Sequence, residues 1–440
     1  MKKPKGGGIT AIIVCGYKSI CQERRIEIRP LTILAGANSS GKSSAIQPIL
    51  LLKQTLDASY DPGPLLLNGP NVKFTSVEQL LSRTSQSACP DIFSIGIEVE
   101  HDKTLTIYFQ KDKKGFEIQQ MVYTTGEKTD NFRMTMTNDE IIRILPRHLK
   151  DLSELISKSE KTKLEWSIIR ERCFLGLDLR RKGEKKTFLT PFPMSPSTIV
   201  EPHIRKLIHL PALRGNPERT YHTTSVGSAF PGTFEKYVAS IIANWKAGKN
   251  DGKLKNLGKD LEKLGLTWKV VAEPINDTQV ELRVGRLPMA SRGGAYDLVS
   301  IADVGFGVSQ ALPVIIALQI AQKGQIVYLE QPEIHLHPRA QYSLAELLAN
   351  AAKRGVKVIV ETHSSLLLRG VQTQVAEGAL AQNLVKLHWF IRDPIDGITE
   401  VSSGDLDGKG AFGDWPEDFD IVELQAESKY LDAVESGRKR

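Results

Sequence analysis

The segment Gly36-Ala37-Asn38-Ser39-Ser40-Gly41-Lys42-Ser43 constrains this chain more than any other stretch, because it has the GxxxxGK[ST] form of a loop that wraps phosphate groups. Its glycines let the backbone turn tightly so that several N–H groups converge, and the following helix adds the positive end of its dipole. This predicts phosphate contacts from Gly36, Ala37, Asn38, Ser39, Ser40, Gly41 and Ser44, with Lys42 reaching the β and γ phosphates and Ser43 ligating Mg²⁺. The flanks agree. Residues 31–34 read as a short buried strand, and residues 43–56 carry Ile46, Ile49, Leu50 and Leu52 at helical spacing. Pro48 is the flaw in that helix, since it lies past the first turn and removes a backbone hydrogen bond.

Two further apolar runs end in chemistry. Residues 326–329 lead into Glu330-Gln331-Pro332-Glu333, which puts acidic side chains at the carboxyl end of a strand, where a metal or its water is held beside a phosphate loop. Residues 358–360 lead into Glu361-Thr362-His363-Ser364. Such a histidine can hydrogen-bond a γ-phosphate and sense its loss, and taken alone it also reads as a satisfied strand-end histidine. With helical patterns at 309–322 and 338–351 between short apolar strands, the chain reads as α/β with a mixed, largely parallel sheet flanked by helices. β-rich stretches at 9–14, 25–28 and 93–109 complete an N-terminal lobe, residues 1–112. Residues 113–204 are richer in charge, with short helices at 139–145 and 150–159 and a turn or hairpin at 180–186. They show no sustained heptads and read as a compact insertion. Residues 205–440 form the second lobe, with helices at 234–245 and 253–264 and a strand at 279–284.

Composition narrows the setting. The 440 residues are 41% apolar, ample for real cores, yet no apolar run approaches the roughly 18 residues needed to span a bilayer. The first ten residues have a basic start, but the apolar stretch that follows is interrupted by Lys18, Glu23 and Arg24, so a cytoplasmic protein with no membrane partner is expected. Cys15, Cys21, Cys89 and Cys173 have no CxxC spacing, which argues against a zinc site or a disulfide framework. A net charge of +7 does not by itself demand nucleic acid. Arg180-Arg181-Lys182 with Lys185 and Lys186, and Arg438-Lys439-Arg440, read as a solvated turn and tail or as a phosphate-backbone track.

Together GANSSGKSS, GFGVSQALP, YLEQPEIHLHP and VETHS resemble the ABC-class ATPase heads of the RecF, SMC and OLD group. The similarity is closest to small stand-alone ATPases of bacterial anti-phage systems, PARIS among them, and covers roughly residues 9–110 and 205–420. What it implies is an ABC-type ATPase head that binds ATP and Mg²⁺. Lys42 and Ser43 take the Walker A roles, Glu330 the metal carboxylate and His363 the switch histidine, with Leu336-His337-Pro338 as the D-loop. Gly305-Phe306-Gly307-Val308-Ser309-Gln310 stands where the family carries its signature, so Gly307, Ser309 and Gln310 would cap the γ-phosphate of a second copy in a head-to-head dimer or higher oligomer.

One departure stands out. Where the family has a catalytic glutamate, this chain has Gln331, and an amide orients water but is a very poor proton acceptor. Either Glu333 supplies the carboxylate, or hydrolysis is slow and occupancy is the signal, or Gln331 is an engineered trap. The resemblance implies a switch that controls a separate effector such as a nuclease, triggered by DNA or a phage protein. The alternatives are a RecF-like DNA clamp, with Arg214 and Arg219 on DNA or Arg214 paired inside the head, and an ATP-binding scaffold. Asp405, Asp407, Asp414 and Asp418 lie in a glycine-rich stretch and make no nuclease constellation.

Overall fold

The three apolar runs that end in chemistry lie side by side. The computed structural model describes residues 7–83, 91–113, 115–147, 149–151, 153, 155, 164–181, 187–189, 195–289, 297–413 and 428–434. Its central sheet has the order Ile208–Leu210, Ile326–Glu330, Lys357–Glu361, Leu31–Gly36, Val385–Arg392, Thr399–Gly404. All neighbours are parallel except the last, antiparallel pair. The register sets Glu330 opposite Glu361, and Glu361 opposite Leu34, so the acid, the histidine and the phosphate loop emerge level at one end of the sheet.

Alternation along these strands splits the interior in two. Ile33, Val327, Leu329, Val358 and Val360 join one core with the helices Phe306–Ile320, Pro338–Lys353 and Ser365–Ala376. Leu34, Tyr328, Ile359 and Phe390 face the other way, onto the helix Lys42–Asp57. A second sheet, entirely antiparallel, covers that helix from outside, in the order Arg24–Glu27, Ile9–Cys15, Ile92–Val99, Lys103–Asp112, Gly115–Thr125, Lys128–Phe132. A helix covered on both sides has no polar face, which is why even Lys53, Gln54 and Thr55 are buried. Each is satisfied: Lys53 pairs with Asp57 at 2.9 Å, Gln54 bonds the carbonyls of Leu66 and Val72 while accepting from the N–H groups of Asn71 and Val72, and Thr55 donates to the Leu51 carbonyl while accepting from the Leu66 N–H. Pro48 is buried inside this helix, which continues through it.

The antiparallel sheet runs past residue 112, where an insertion is expected to begin. Of its last two strands, the first alternates buried Phe116 and Ile118 with exposed Glu117 and Gln119 and the second buries only Phe132, and their polar residues hide them from a search for apolar runs. Beyond them, the helix Asn138–Ile144 opens with a capping box made by Thr137 and Glu140. The strands Leu164–Glu171, Phe174–Arg181 and Thr187–Leu189 make a small antiparallel sheet. Lys182, Lys185 and Lys186 in its turn lie outside the described residues, as do Cys89, Asp414, Asp418 and Arg438-Lys439-Arg440. In the second lobe, helices Val238–Ala247 and Asp251–Lys263 pack with a small sheet built around the hairpin Val270–Asn276 and Gln279–Gly285. Among the described residues no helix is long and apolar enough to cross a membrane.

Candidate functional site

The phosphate loop is shaped by two glycines that no other residue replaces. Gly36 has φ 142° and a Cβ there would lie 2.2 Å from the Phe390 carbonyl; Gly41 has φ 103° and its Cβ would lie 2.4 Å from Thr399 Oγ1. Thr399 fixes the loop from below, with Oγ1 2.8 Å from the Ser40 carbonyl and 2.7 Å from Ser19 Oγ. Lys42 folds back along the loop and donates to the carbonyls of Gly36 at 3.1 Å and Ala37 at 2.8 Å. Burial lowers its pKa, while Glu361 and Glu333 pull it up.

Beside the loop lies a cavity of about 510 Å³, within the range of small-molecule sites. Asn38, Ser39, Ser40, Gly41, Lys42, Ser43 and Ser44 line it, together with Gln331, Glu361 and His363. Gln331 reaches it from a left-handed turn at φ 43°, held by its own N–H on the Glu361 carbonyl at 2.7 Å. Burial, and then the charge of Lys42, depress the His363 imidazole below its usual range, with the Gly36 carbonyl opposing them. The rest of the lining, apart from Leu81, is polar and cationic, with Lys18, Arg83 and Arg392 against the single carboxylate of Glu361. Such a field suits a polyanion. Lys18 stands on the turn after the first strand, 2.6 Å from Gln47 Oε1 and 4.6 Å from the Phe74 ring centroid.

The acids expected to act are not those in the cavity. Glu330, expected at the metal, turns its carboxylate to His209 Nε2 at 3.0 Å and the Ala212 N–H at 3.3 Å. Ser43 Oγ instead donates to Glu361 Oε1 at 2.8 Å, and Tyr328 OH donates to Glu361 Oε2 at 2.8 Å. Glu333, a candidate base, sits outside the cavity lining with Oε1 accepting from Thr362 Oγ1 at 2.7 Å and the His363 N–H at 2.9 Å. It holds the loop that carries the histidine. Its other oxygen is buried with no hydrogen-bond partner among the described residues, and burial raises the pKa of the carboxyl.

Gly307, Ser309 and Gln310 lie away from this cavity. Gly305 caps the helix Phe306–Ile320, Ser309 Oγ donates to the Phe306 carbonyl at 3.0 Å, and Phe306 is 49% exposed with its ring 5.7 Å from that of His335. Gln310 is buried, bonded to the Gly215 carbonyl at 2.9 Å. Arg214 is 7% exposed and braces this helix start to the acidic strand, donating to the carbonyls of Gln310, Glu330 and Gln331. Burial holds its pKa down to about 10. Arg219 pairs with Asp303 at the surface. Asp405 pairs with Lys386 and Arg29, and Asp407 accepts the N–H groups of Lys409 and Ala411.

Lys18, Arg83, Arg392 and Glu361 have the weakest signals in the chain itself. Glu361 had one: like Glu330, it is an acid at the carboxyl end of an apolar strand.

The family described as "AAA domain, putative AbiEii toxin, Type IV TA system" matches residues 31–369. Among solved structures, an SMC head bound to the C-terminal winged-helix domain of ScpA is similar at 15% identity and TM-score 0.46, over 91% of this chain and 98% of that one. The Smc head domain with an extended coiled coil, bound to the C-terminal domain of ScpA, from Pyrococcus furiosus is similar at 13% identity and TM-score 0.46, over 98% of this chain and 100% of that one. The Smc head domain with a coiled coil and joint from Pyrococcus yayanosii gives 11% identity and TM-score 0.47, over 96% and 100% of the respective chains. No curated protein matches the sequence.

Proposed function

This chain belongs to the AAA-domain family described as putative AbiEii toxin of type IV toxin–antitoxin systems, and from that premise we propose that it binds ATP around Lys42 as one half of a paired, slowly hydrolysing switch. The observation that carries the reading is the division of the site. Loop, Gln331 and His363 converge on one cavity, whereas Gly307 and Ser309 stand at a helix start outside its lining. A helix start with free N–H groups favours an anion, and a second copy would bring one to it. Phe306, half exposed beside His335, adds apolar surface for that pairing.

Within the cavity, Lys42 exchanges its two loop carbonyls for phosphate oxygens, and His363 reports the γ position. Mg²⁺, when bound through Ser43, supplies neutralisation of charge on the β and γ phosphates. Gln331 orients a water without taking its proton, so turnover is slow and occupancy carries the signal. The switch acts on a separate effector, a nuclease being the reading favoured here, in cytoplasmic anti-phage defence with DNA or a phage protein as trigger. The test is a size measurement by light scattering with and without ATP. Wild type should pair with ATP and Lys42→Ala should not; identical behaviour of the two removes the basis of the switch.

A second reading, an ATP-dependent grip on DNA, is favoured by the exposed Lys253, Lys255 and Lys259 on the helix Asp251–Lys263. Filter binding across salt concentrations separates it, because a grip on phosphates weakens steeply with salt.

A further inference from the structure

We propose that Glu361, and not Glu330, is the acidic partner of Ser43 at the metal end of the nucleotide, and that Glu330 is a buttress anchored on His209. The proposal rests on the ATP-binding reading above and assigns the metal side of the same cavity.

Three acids stand at the ends of the chemistry-bearing strands or just beyond them, and they differ in where their oxygens point. Glu330 turns away from the cavity, one oxygen on the His209 ring and the other on the Ala212 N–H. Glu333 spends one oxygen on Thr362 and the His363 N–H and lies off the cavity. Only Glu361 lines the cavity, and it touches the one hydroxyl that a metal-bound nucleotide requires. Because Ser43 gives its proton to Glu361, both lone pairs of Ser43 Oγ remain for a cation. A hydroxyl backed by a carboxylate is a hard oxygen donor set, and Mg²⁺ takes only one or two protein oxygens beside phosphate and water.

The surroundings are built to hold Glu361 in that place. Its carboxylate is buried, a costly position for an anion unless donors and a cation face it. Tyr328, fully buried, donates to its far oxygen, and the Tyr328 ring stacks on His209 at 5.4 Å and 13°. His209 Nδ1 is in turn 3.1 Å from Asn71 Oδ1, on the loop that Gln54 pins to the phosphate-loop helix. The run Asn71, His209 and Glu330 is therefore a structural strut beside Tyr328, and Tyr328 and Ser43 position Glu361 between them.

The experiment is titration of a fluorescent ATP analogue into the full chain, with Mg²⁺ or with EDTA, together with the electron paramagnetic resonance signal of Mn²⁺ at saturating ATP. Glu361→Gln should lose about tenfold or more of the affinity that Mg²⁺ confers, and broaden or release bound Mn²⁺, as loss of a supporting carboxylate does elsewhere. Glu330→Gln should keep the Mg²⁺ dependence of wild type and lower the melting temperature instead. Tyr328→Phe removes one hydroxyl without emptying the core and should fall between them, so it carries the test if Glu361→Gln does not fold. Loss of Mg²⁺ dependence in Glu330→Gln, with Glu361→Gln and Tyr328→Phe unchanged, overturns the assignment and leaves the ATP reading intact. Absence of nucleotide binding by wild type overturns both.

Discussion

The floor of the phosphate cavity and the start of the helix Phe306–Ile320 handle polar groups in opposite ways. In the cavity the reactive groups are held within the chain: Lys42 by two loop carbonyls, Ser43 by Glu361, and His363 by the Gly36 carbonyl at its ring and by Glu333 at its backbone. At the helix start, Ser309 has among the described residues only the carbonyl of its own first turn, and Phe306 lies half exposed. A preorganised pocket works alone, whereas an open helix end gains its purpose from outside the chain. Arg214 ties the two together, reaching the Gln310 carbonyl on one side and those of Glu330 and Gln331 on the other.

The sharpest way to break this comparison is Ser309→Glu. It places an anion where a partner's phosphate would dock and leaves the cavity of its own chain untouched. Like charges facing each other at an interface cost several kcal/mol, so pairing should weaken by about a thousandfold while ATP affinity of the single copy holds. Sedimentation by analytical ultracentrifugation with a fluorescent nucleotide reads both quantities, and an unchanged ATP-dependent dimer would show that the helix start is ordinary surface.

Gln331→Glu comes next, since it changes the cavity and not the helix. The new carboxylate occupies the same left-handed turn and can take a proton from water, a role worth about a hundredfold in rate. Phosphate release should rise by that order only at concentrations where copies pair. A rise that is independent of protein concentration would make the cavity complete without its partner.

Arg214→Met tests the brace. Three carbonyls, one buried and two part-buried, lose a charged donor, and leaving such groups unsatisfied costs about 1–3 kcal/mol in denaturant unfolding, less than their simple sum because water or shifted neighbours recover part. Stability should fall by that order with no loss of the family fold, and pairing should become less responsive to ATP. Unchanged stability would mean the guanidinium is dispensable packing.

How much of this was legible in the chain depends on whether the chemistry is contiguous. The phosphate loop is, so its geometry followed from its glycines, and the parallel sheet followed from strands that are apolar throughout. The choice between Glu330 and Glu361 was not, because it turns on a histidine 121 residues upstream that occupies one of them. Arg214 is similar. Its partners are backbone carbonyls, which any sequence supplies and none displays, so a DNA contact and an internal brace looked alike. The strands after residue 113 escaped for a third reason, that an alternating strand with one solvated face has the composition of a loop.

The smallest effect expected is on pH, and it belongs to the cavity alone. In the free protein, burial and Lys42 depress the His363 imidazole, so it is neutral at neutral pH. A depressed imidazole favours the folded state above its unfolded value and loses that advantage as pH falls through the depressed one. A γ-phosphate beside the ring favours the charged form and raises its pKa, so ATP binding takes up a proton in the window between the depressed free value and the raised bound one. Affinity should therefore tighten a few-fold as pH drops through that window and relax as it rises, whereas His363→Gln should remove this component of the pH dependence. Isothermal titration in two buffers of different ionisation enthalpy measures the proton directly. If wild type and His363→Gln take up the same number of protons, the histidine does not face the γ-phosphate, and the cavity loses its means of reporting occupancy to the helix start of a second copy.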